Sequence, residues 1–577
     1  MRLNITKSKN AASLYVVKSI YNPKTQSNSS KIVEKLGTEE ELRKKLNGAD
    51  PYEWAKAYIK DLNKKEKEES RKVLIPFTQS MEIAKNEQRS FNGGYLFLQR
   101  LYHDLNLHQI CNTISDKYKF SFNLDSILSR LIYGRILFPS SKLNTFQLSS
   151  TLLEQPDFDL QHIYRALEVI SNESDFIQSE LYKNSLAISK RNDKILYYDC
   201  TNYFFEVEQE DGIKQYGPSK EHRPNPIVEM GLFMDGEGIP LAFSIHSGNT
   251  NEQLTLQPLE KKILEDFSLA KFVVCTDAGL SSTDNRKFNN QGDRAFITTQ
   301  SVKKLKKHLK EWALAPGGWH LDGMPGIFDI SGIEVSEEVR DKYRDCTFYK
   351  ERWIKEDGLE QKLIVTFSLK YKEYQRHIRN RQIERATKLL ETKPSSLKKS
   401  QQNDYKRFIT KTNVTKDGEI AEKEVYSVNQ DVITNEEAYD GFYAVCTNLE
   451  DDAPAITKIN HKRWEIEECF RLLKTDFKAR PVYLSRDDRI KAHFTTCFLS
   501  LTVYRYLEKQ LKEKFTSSEI ISQLRDMNFY SIPGEGYIPT YTRTDFTDVL
   551  HDSFGFRTDY QIVTTKQMKK IFKDTKK

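Results

Sequence analysis

At Lys194 the apolar period of the chain changes from helical to strand-like, and this switch limits what the chain can become. Before it, residues 93–190 place apolar side chains at three- and four-residue spacing, in Tyr95–Leu105, Leu124–Ile136 and His162–Ile170. That spacing predicts helices, one ending at Pro139 and the next starting near Ser140. After the switch come strand-like runs over Ile195–Cys200 and Ile227–Met234, a turn at Asp235-Gly236-Glu237-Gly238, and a third run over Ile239–Ile245. A helix over Glu252–Asp266 follows, with Thr250 or Asn251 as its cap, then strands over 271–277 and Ala295–Thr299. Three strands, a helix and two more strands predict a mixed α/β core.

The flanking segments read differently. Residues 1–40 predict a β-hairpin turning near Asn22-Pro23, and 39–72 a pair of solvated amphipathic helices. Between 301 and 440 lie short β-like runs and a basic helical stretch; residues 370–411 hold 13 Lys and Arg against 4 Asp and Glu. A strand returns at 441–447, so 301–440 is expected to be an insertion. Helices are predicted over Ala453–Phe477 and Arg489–Lys514, and helix and loop beyond. At 577 residues the chain exceeds one core, which usually stops growing near ~250–300 residues. The expected divisions are 1–92, 93–190, 191–300, 301–440, 441–515 and 516–577.

Composition removes other classes. With 32 Phe, 29 Tyr and 5 Trp the chain is not disordered, and a net charge of +7 permits a polyanionic partner without requiring one. No apolar run is long enough for a membrane span, and the first residues do not form a signal peptide. Seven scattered cysteines without a C-x-x-C pair point to reduced thiols in a cytoplasm. No phosphate-binding G-x4-G-K-[ST] run and no zinc-type His spacing occur.

Asp199 and Asp277 are single carboxylates set into apolar strand runs, where an unpaired ionised group is costly to desolvate. Either each is structural, capped or salt-bridged, or the two share a site with a divalent cation that needs oxygen ligands. A third element bears on that choice. Projected on one continuous helix at roughly 100° per residue, Asn460, Arg463, Glu467 and Lys474 fall within a stripe roughly 60° wide. Ile466, Phe470, Leu473 and Phe477 form the adjacent apolar stripe, while Glu465 and Glu468 are expected on the solvated surface. An i,i+4 Arg–Glu pair alone explains Arg463 and Glu467, but needs neither Lys474 nor the two aspartates.

The runs Tyr198–Glu206 and Gly217–Pro226, the Thr276-Asp277-Ala278-Gly279 strand end and the Arg463-x3-Glu467-x6-Lys474 helix together resemble the DDE transposases of bacterial insertion sequences. The pattern is similar to the insertion-sequence-four superfamily, whose signature is Tyr-x2-Arg-x3-Glu-x6-Lys; Asn460 stands where that signature has Tyr. The resemblance implies a ribonuclease-H-like catalytic core interrupted by a β-rich insertion domain, with a mainly helical N-terminal DNA-binding region and a helical C-terminal region. It implies that Asp199, Asp277 and Glu467 hold two Mg²⁺ ions, for which Mn²⁺ can substitute, in metal-dependent DNA cleavage and strand transfer. Arg463 and Lys474, with Asn460 beside them, would contact DNA phosphates at the transposon end. Lys220, His222 and Arg223 lie in a turn-rich loop after the first catalytic strand and are further DNA-binding candidates, against the default of a charged surface loop. An insertion-domain Trp, from Trp312, Trp319 and Trp353, would stack on a flipped base where it is not core packing. The basic 370–411 helix would track DNA backbone or form a solvated face. The implied partners are double-stranded DNA, as terminal inverted repeats and target, and a second copy in a homodimeric paired-end complex. The implied location is a prokaryotic cytoplasm, at the nucleoid, with no membrane partner.

Two rivals stay open on sequence alone. One is a transposase-derived, sequence-specific DNA-binding protein that is catalytically inactive. The other is a two-carboxylate hydrolase of a sugar polymer, which would need no metal.

Overall fold

The computed structural model describes all residues except 8–10, 23–26, 47–48, 70–73, 76–77, 393–403 and 415–422. The chain divides into two units, Met1–Glu87 and Gln88–Lys577. In the first, strands Arg2–Lys7, Ala12–Asn22 and Ser27–Thr38 form an antiparallel sheet in chain order. The expected hairpin thus has a third strand before it, and Pro23 of the expected turn lies outside the described residues. The two expected helices are Glu39–Lys45 and Pro51–Glu69. Thr38 starts the first with a capping box closed by Glu41, which satisfies two of the free N–H groups there. Leu14, Leu42 and Ala55 form this unit's small core.

Asp199, Asp277 and Glu467 all lie in the second unit. Helices α1 (Leu124–Leu137) and α2 (Lys142–Ser149) meet at a corner where Pro139 cannot continue the first helix and Ser141 caps the second. The central sheet then begins with β1 (Ile195–Phe204), β2 (Ile227–Asp235) and β3 (Pro240–Ser247), paired antiparallel. Helix α3 (Leu256–Asp266) crosses to β4 (Val273–Thr276), which runs parallel to β1, and β5 (Ala295–Gln300) runs parallel to β4. The order of these five strands is therefore β3-β2-β1-β4-β5. All nine residues of β2 are buried, as expected for a strand covered on both faces.

The 301–440 segment does follow β5 in sequence, and of its described strands only Ile409–Val414 and Lys423–Val428 form a small sheet of their own. The strands β6 (Trp319–Leu321), β7 (Met324–Phe328), β8 (Thr347–Glu356) and β9 (Leu359–Ser368) continue the central one. The hairpin β8–β9, with ten residues in each strand, pairs through β10 (Phe442–Thr447) onto β5, so ten strands run in one sheet. Between β9 and β10 lies the basic helix α4 (Leu369–Thr392); the stretch 393–403 of the predicted basic segment lies outside the described residues.

Helices α5 (Ala453–His461), α6 (Trp464–Arg471) and α7 (Asp487–Gln510) cover one face of β1 and β2. The expected single helix over Ala453–Phe477 is in fact two helices broken at Lys462 and Arg463, followed by a π-helical turn over Leu472–Asp476. Its apolar stripe is nevertheless as expected: Ile466, Phe470, Leu473 and Phe477 are all buried, each contributing roughly 1.5–3 kcal/mol. The chain end also differs from the helix-and-loop expectation. Strands Asn528–Ile532, Gly536–Pro539 and Val563–Thr564 join Ser90–Asn92 in a four-stranded sheet. Runs of two to five residues carry too little period to be read as strands; only the partner strand defines them. Among the described residues no helix is long and apolar enough to cross a membrane.

Candidate active site

Strand alternation sorts β1 into two faces. Tyr197, Asp199, Thr201 and Tyr203 point toward α5–α7: the Tyr197 hydroxyl donates to the Ile459 carbonyl at 2.8 Å, and Tyr203 meets Phe494 edge-on. Tyr198 and Cys200 point the other way and bond to Thr255 at the start of α3, in an apolar cluster that buries the Cys200 thiol and pushes it up to about 12. Asp199 is therefore a carboxylate on the α6 side of the sheet.

Asp277 follows the last residue of β4, the strand next to β1. Its Oδ1 accepts from the backbone N–H groups of Gly279 and Leu280 at 2.9 and 3.0 Å, which fixes the carboxylate at the strand end. Burial, and then the charge of Asp277, push the Asp199 carboxyl up to about 6. Lys220, the Cys200 N–H and Arg463 pull against that rise. The two aspartates thus occupy one electrostatic site.

Glu467 projects from α6 with its side chain 57% exposed, and Arg463 holds it at 3.1 Å. Arg463 also acts on Asp199 electrostatically, which links Glu467 and Asp199 through one guanidinium. Among the described residues, however, no three His, Cys, Asp or Glu side chains are grouped to hold a metal ion.

The projection onto one continuous helix does not describe Lys474 or Asn460. The π turn, in which the Phe477 N–H reaches the Leu472 carbonyl, shifts the residues within it off the 100° spacing. Lys474 consequently donates to the Thr201 hydroxyl on β1 and lies over the Tyr203 ring. Burial, and then Lys220, hold its ammonium down to about 8. Asn460 lies before the helix break; it is buried and donates to the Tyr443 hydroxyl at 3.0 Å, so its amide faces the interior and not a DNA surface.

The loop candidates separate as well. Lys220 donates to the Cys200 carbonyl at 2.5 Å and pairs with Glu252 at 2.7 Å; burial opposes its charge, but Glu252 outweighs this and raises it. Arg223 is exposed, with its guanidinium 4.1 Å from the Phe204 ring centroid, and His222 is exposed beside it. Trp319 is fully buried, donates to the Ala315 carbonyl at 3.0 Å and is covered by Lys350, so it is core and cannot stack on a base. Trp353 is 45% exposed. On α4, Arg379 is buried against Asp440 at 2.6 Å and Lys372 pairs with Glu334, so part of the expected basic face is neutralised internally. Glu465, expected on the surface, instead faces Arg505 of α7 at 3.5 Å.

Glu229 on β2 escaped the sequence reading. It is fully buried opposite Asn202, and burial, then Glu252, push it up to about 7 while Lys220 and Lys474 act against the rise. The criterion that singled out Asp199, a lone carboxylate inside an apolar strand, applies equally to Glu229. Glu252 and Thr201 carry no comparable sequence signal.

A family model described as "Transposase DDE domain" matches residues 204–503, just over half of the chain. The match contains Asp277, Arg463, Glu467 and Lys474 and begins five residues after Asp199. No curated protein matches the chain. Among solved structures, a cryo-EM structure of the piggyBac transposase synaptic complex with hairpin DNA is similar at TM-score 0.35 and 8% identity, over 77% of this chain and 81% of that one.

Proposed function

Because the chain belongs to the transposase DDE domain family, we propose that it binds the terminal inverted repeats of an insertion sequence, cleaves DNA at those ends and transfers the strands to target DNA. The observation that carries this reading is the pairing of Asp199 with Asp277. Two neighbouring carboxylates raise each other's cost of ionisation, and here the effect, added to burial, is large enough to lift Asp199 to about 6. The strand order β3-β2-β1-β4-β5, with an acid inside the first strand and another at the end of the fourth, supports a ribonuclease-H-like core. The Arg463-x3-Glu467-x6-Lys474 spacing supports a place in the insertion-sequence-four superfamily.

An oxygen-donor pair short of positive charge fits a hard divalent cation, with Asp199 and Asp277 as ligands and Glu467 as the third carboxylate. Bound Mg²⁺, or Mn²⁺ in its place, supplies Lewis-acid stabilisation of the charge that builds on phosphodiester oxygens. The protein's own groups do the positioning. Lys474, held on Thr201, presents a cation beside Asp199, where it can pair with a DNA phosphate. Arg463 supplies a guanidinium between Glu467 and Asp199, and Lys220 is steadied by Glu252. Two copies would handle the two element ends together.

The test is incubation of the purified protein with DNA from the flanks of its own gene, with and without Mg²⁺. Metal-dependent cleavage is expected, and Asp199→Asn should lower it on the order of 10³-fold while binding persists. The Arg463–Glu467 pairing favours a second reading, a DNA-binding descendant that no longer cuts. Binding of the flanks without cleavage at any Mg²⁺ or Mn²⁺ concentration would select that reading.

A further inference from the structure

A cavity of about 330 Å³ opens between the α1–α2 corner and the loop after the π turn. Arg135, Lys142, Tyr164, Lys478, Arg480 and His493 line it, and no Asp or Glu does. Lys142 is only 6% exposed, yet no described residue accepts a hydrogen bond from its ammonium or pairs with it. Burial, and then Arg135, hold it down to about 7. The Ser140 hydroxyl, also in the lining, is buried without a partner. Lys478 is exposed and likewise unpaired among the described residues. Arg135 is fixed by the carbonyls of Phe477, Lys478 and Ser140. Burial and the neighbouring charges of Arg135 and Lys142 keep His493 neutral, with its Nε2–H on the Ala479 carbonyl at 3.1 Å. The Lys142 ammonium lines the cavity and meets no acceptor among the described residues, and an oxyanion there would supply one.

The cavity is joined to the carboxylate site. Phe205 bridges to Val482, which brings the loop to the end of β1. Arg480 and Arg223 both lie over the Phe204 ring and both pair with Glu221. Lys220, next to Glu221 in the chain, reaches the Cys200 carbonyl beside Asp199. From Asp199 to Phe204 is five strand residues, about 17 Å.

We propose that this cavity is a phosphate-binding site, separate from the carboxylates, and that it seats a DNA backbone phosphate several nucleotides from the one at Asp199. The DNA assignment rests on the proposed function; the phosphate chemistry rests on the cavity alone. The experiment compares wild type, Lys142→Met and Lys142→Arg by fluorescence anisotropy on a duplex from the gene's flanks across a salt series. It is repeated in an Asp199→Asn background, so that cleavage does not intrude. Lys142→Met should weaken binding about 5- to 30-fold at physiological salt and make the log–log salt slope shallower by about one, with Lys142→Arg restoring both. Lys142→Met should also melt at or above the wild-type temperature, which a merely structural lysine would not do. In parallel, pyrophosphate should raise the melting temperature of wild type and not of Lys142→Met. Unchanged DNA affinity and slope, with the pyrophosphate shift kept, would overturn the DNA assignment and leave a free phosphate compound as ligand. Loss of both differences would overturn the site. A wild type that takes pyrophosphate but binds no duplex would retain the site and refute the transposase reading.

Discussion

At the scale of single residues, the same amino acid type takes opposite roles according to what covers it. Trp319 and Trp353 are both on strands of the 301–440 segment, but the first is enclosed by Phe367, Phe442 and Lys350 and the second is 45% exposed. Trp319→Ala should therefore cost about 3–5 kcal/mol in a denaturant titration. Trp353→Ala should stay within about 0.5 kcal/mol and, if a base stacks there, show its effect in DNA affinity alone. The sequence offers no means of separating the two, because exposure on a strand depends on which neighbour arrives from elsewhere in the chain. Asp199 was legible for the opposite reason: a carboxylate within Ile195–Cys200 is anomalous in whatever fold the run adopts.

At the scale of elements, boundaries matter more than types. The helix break at Lys462 and the π turn at Leu472–Asp476 decide where Asn460 and Lys474 point, and neither follows from apolar spacing, which runs through both without a gap. Close backbone approach is equally invisible in sequence. A Cβ on Gly248 would lie 2.1 Å from the Ile227 carbonyl and 2.4 Å from that of Gln215, beside the loop that carries Lys220. Gly248→Ala should displace that loop, lowering DNA cleavage at least about tenfold with a stability loss of about 1–3 kcal/mol. Helix α3 supplies a pH-dependent element. Burial pushes Glu260 up to about 8, against Asn289 and Arg294. The folded chain then holds a proton that the unfolded chain releases, so this contribution is complete at low pH and is lost as pH rises from about 5 to 8. Glu260→Gln should remove a slope of up to about 1.4 kcal/mol per pH unit from the difference between variant and wild type, read by urea unfolding at a series of pH values.

At the scale of the whole molecule, the chain end is part of the core that supports the site. Phe529, Phe546, Leu550, Val563, Met568 and Ile571 are buried with helices of the 93–190 region, and the backbone of Asn528–Ile532 pairs with Ser90–Asn92. Deleting 516–577 should abolish cooperative unfolding, whereas residues 88–577 alone should keep a sharp transition, because the buried clusters of that unit draw only on its own residues. Calorimetry of both truncations checks this. The sequence by itself determined the local quantities: the switch from helical to strand period at Lys194, the β3-to-α3-to-β4 succession, and three acids whose types and spacing fit a DDE transposase. Each of these depends on a residue and its near neighbours in the chain. Tertiary structure alone decided that β6 to β9 of the 301–440 segment extend the central sheet, that Trp319 and Asn460 are interior, that Lys474 rests on Thr201, and that Lys142 faces a cavity without a counter-charge. Those outcomes depend on the energy of contacts between residues tens to hundreds of positions apart, and no local pattern encodes which distant group will be there to cover, pair or leave exposed a given side chain.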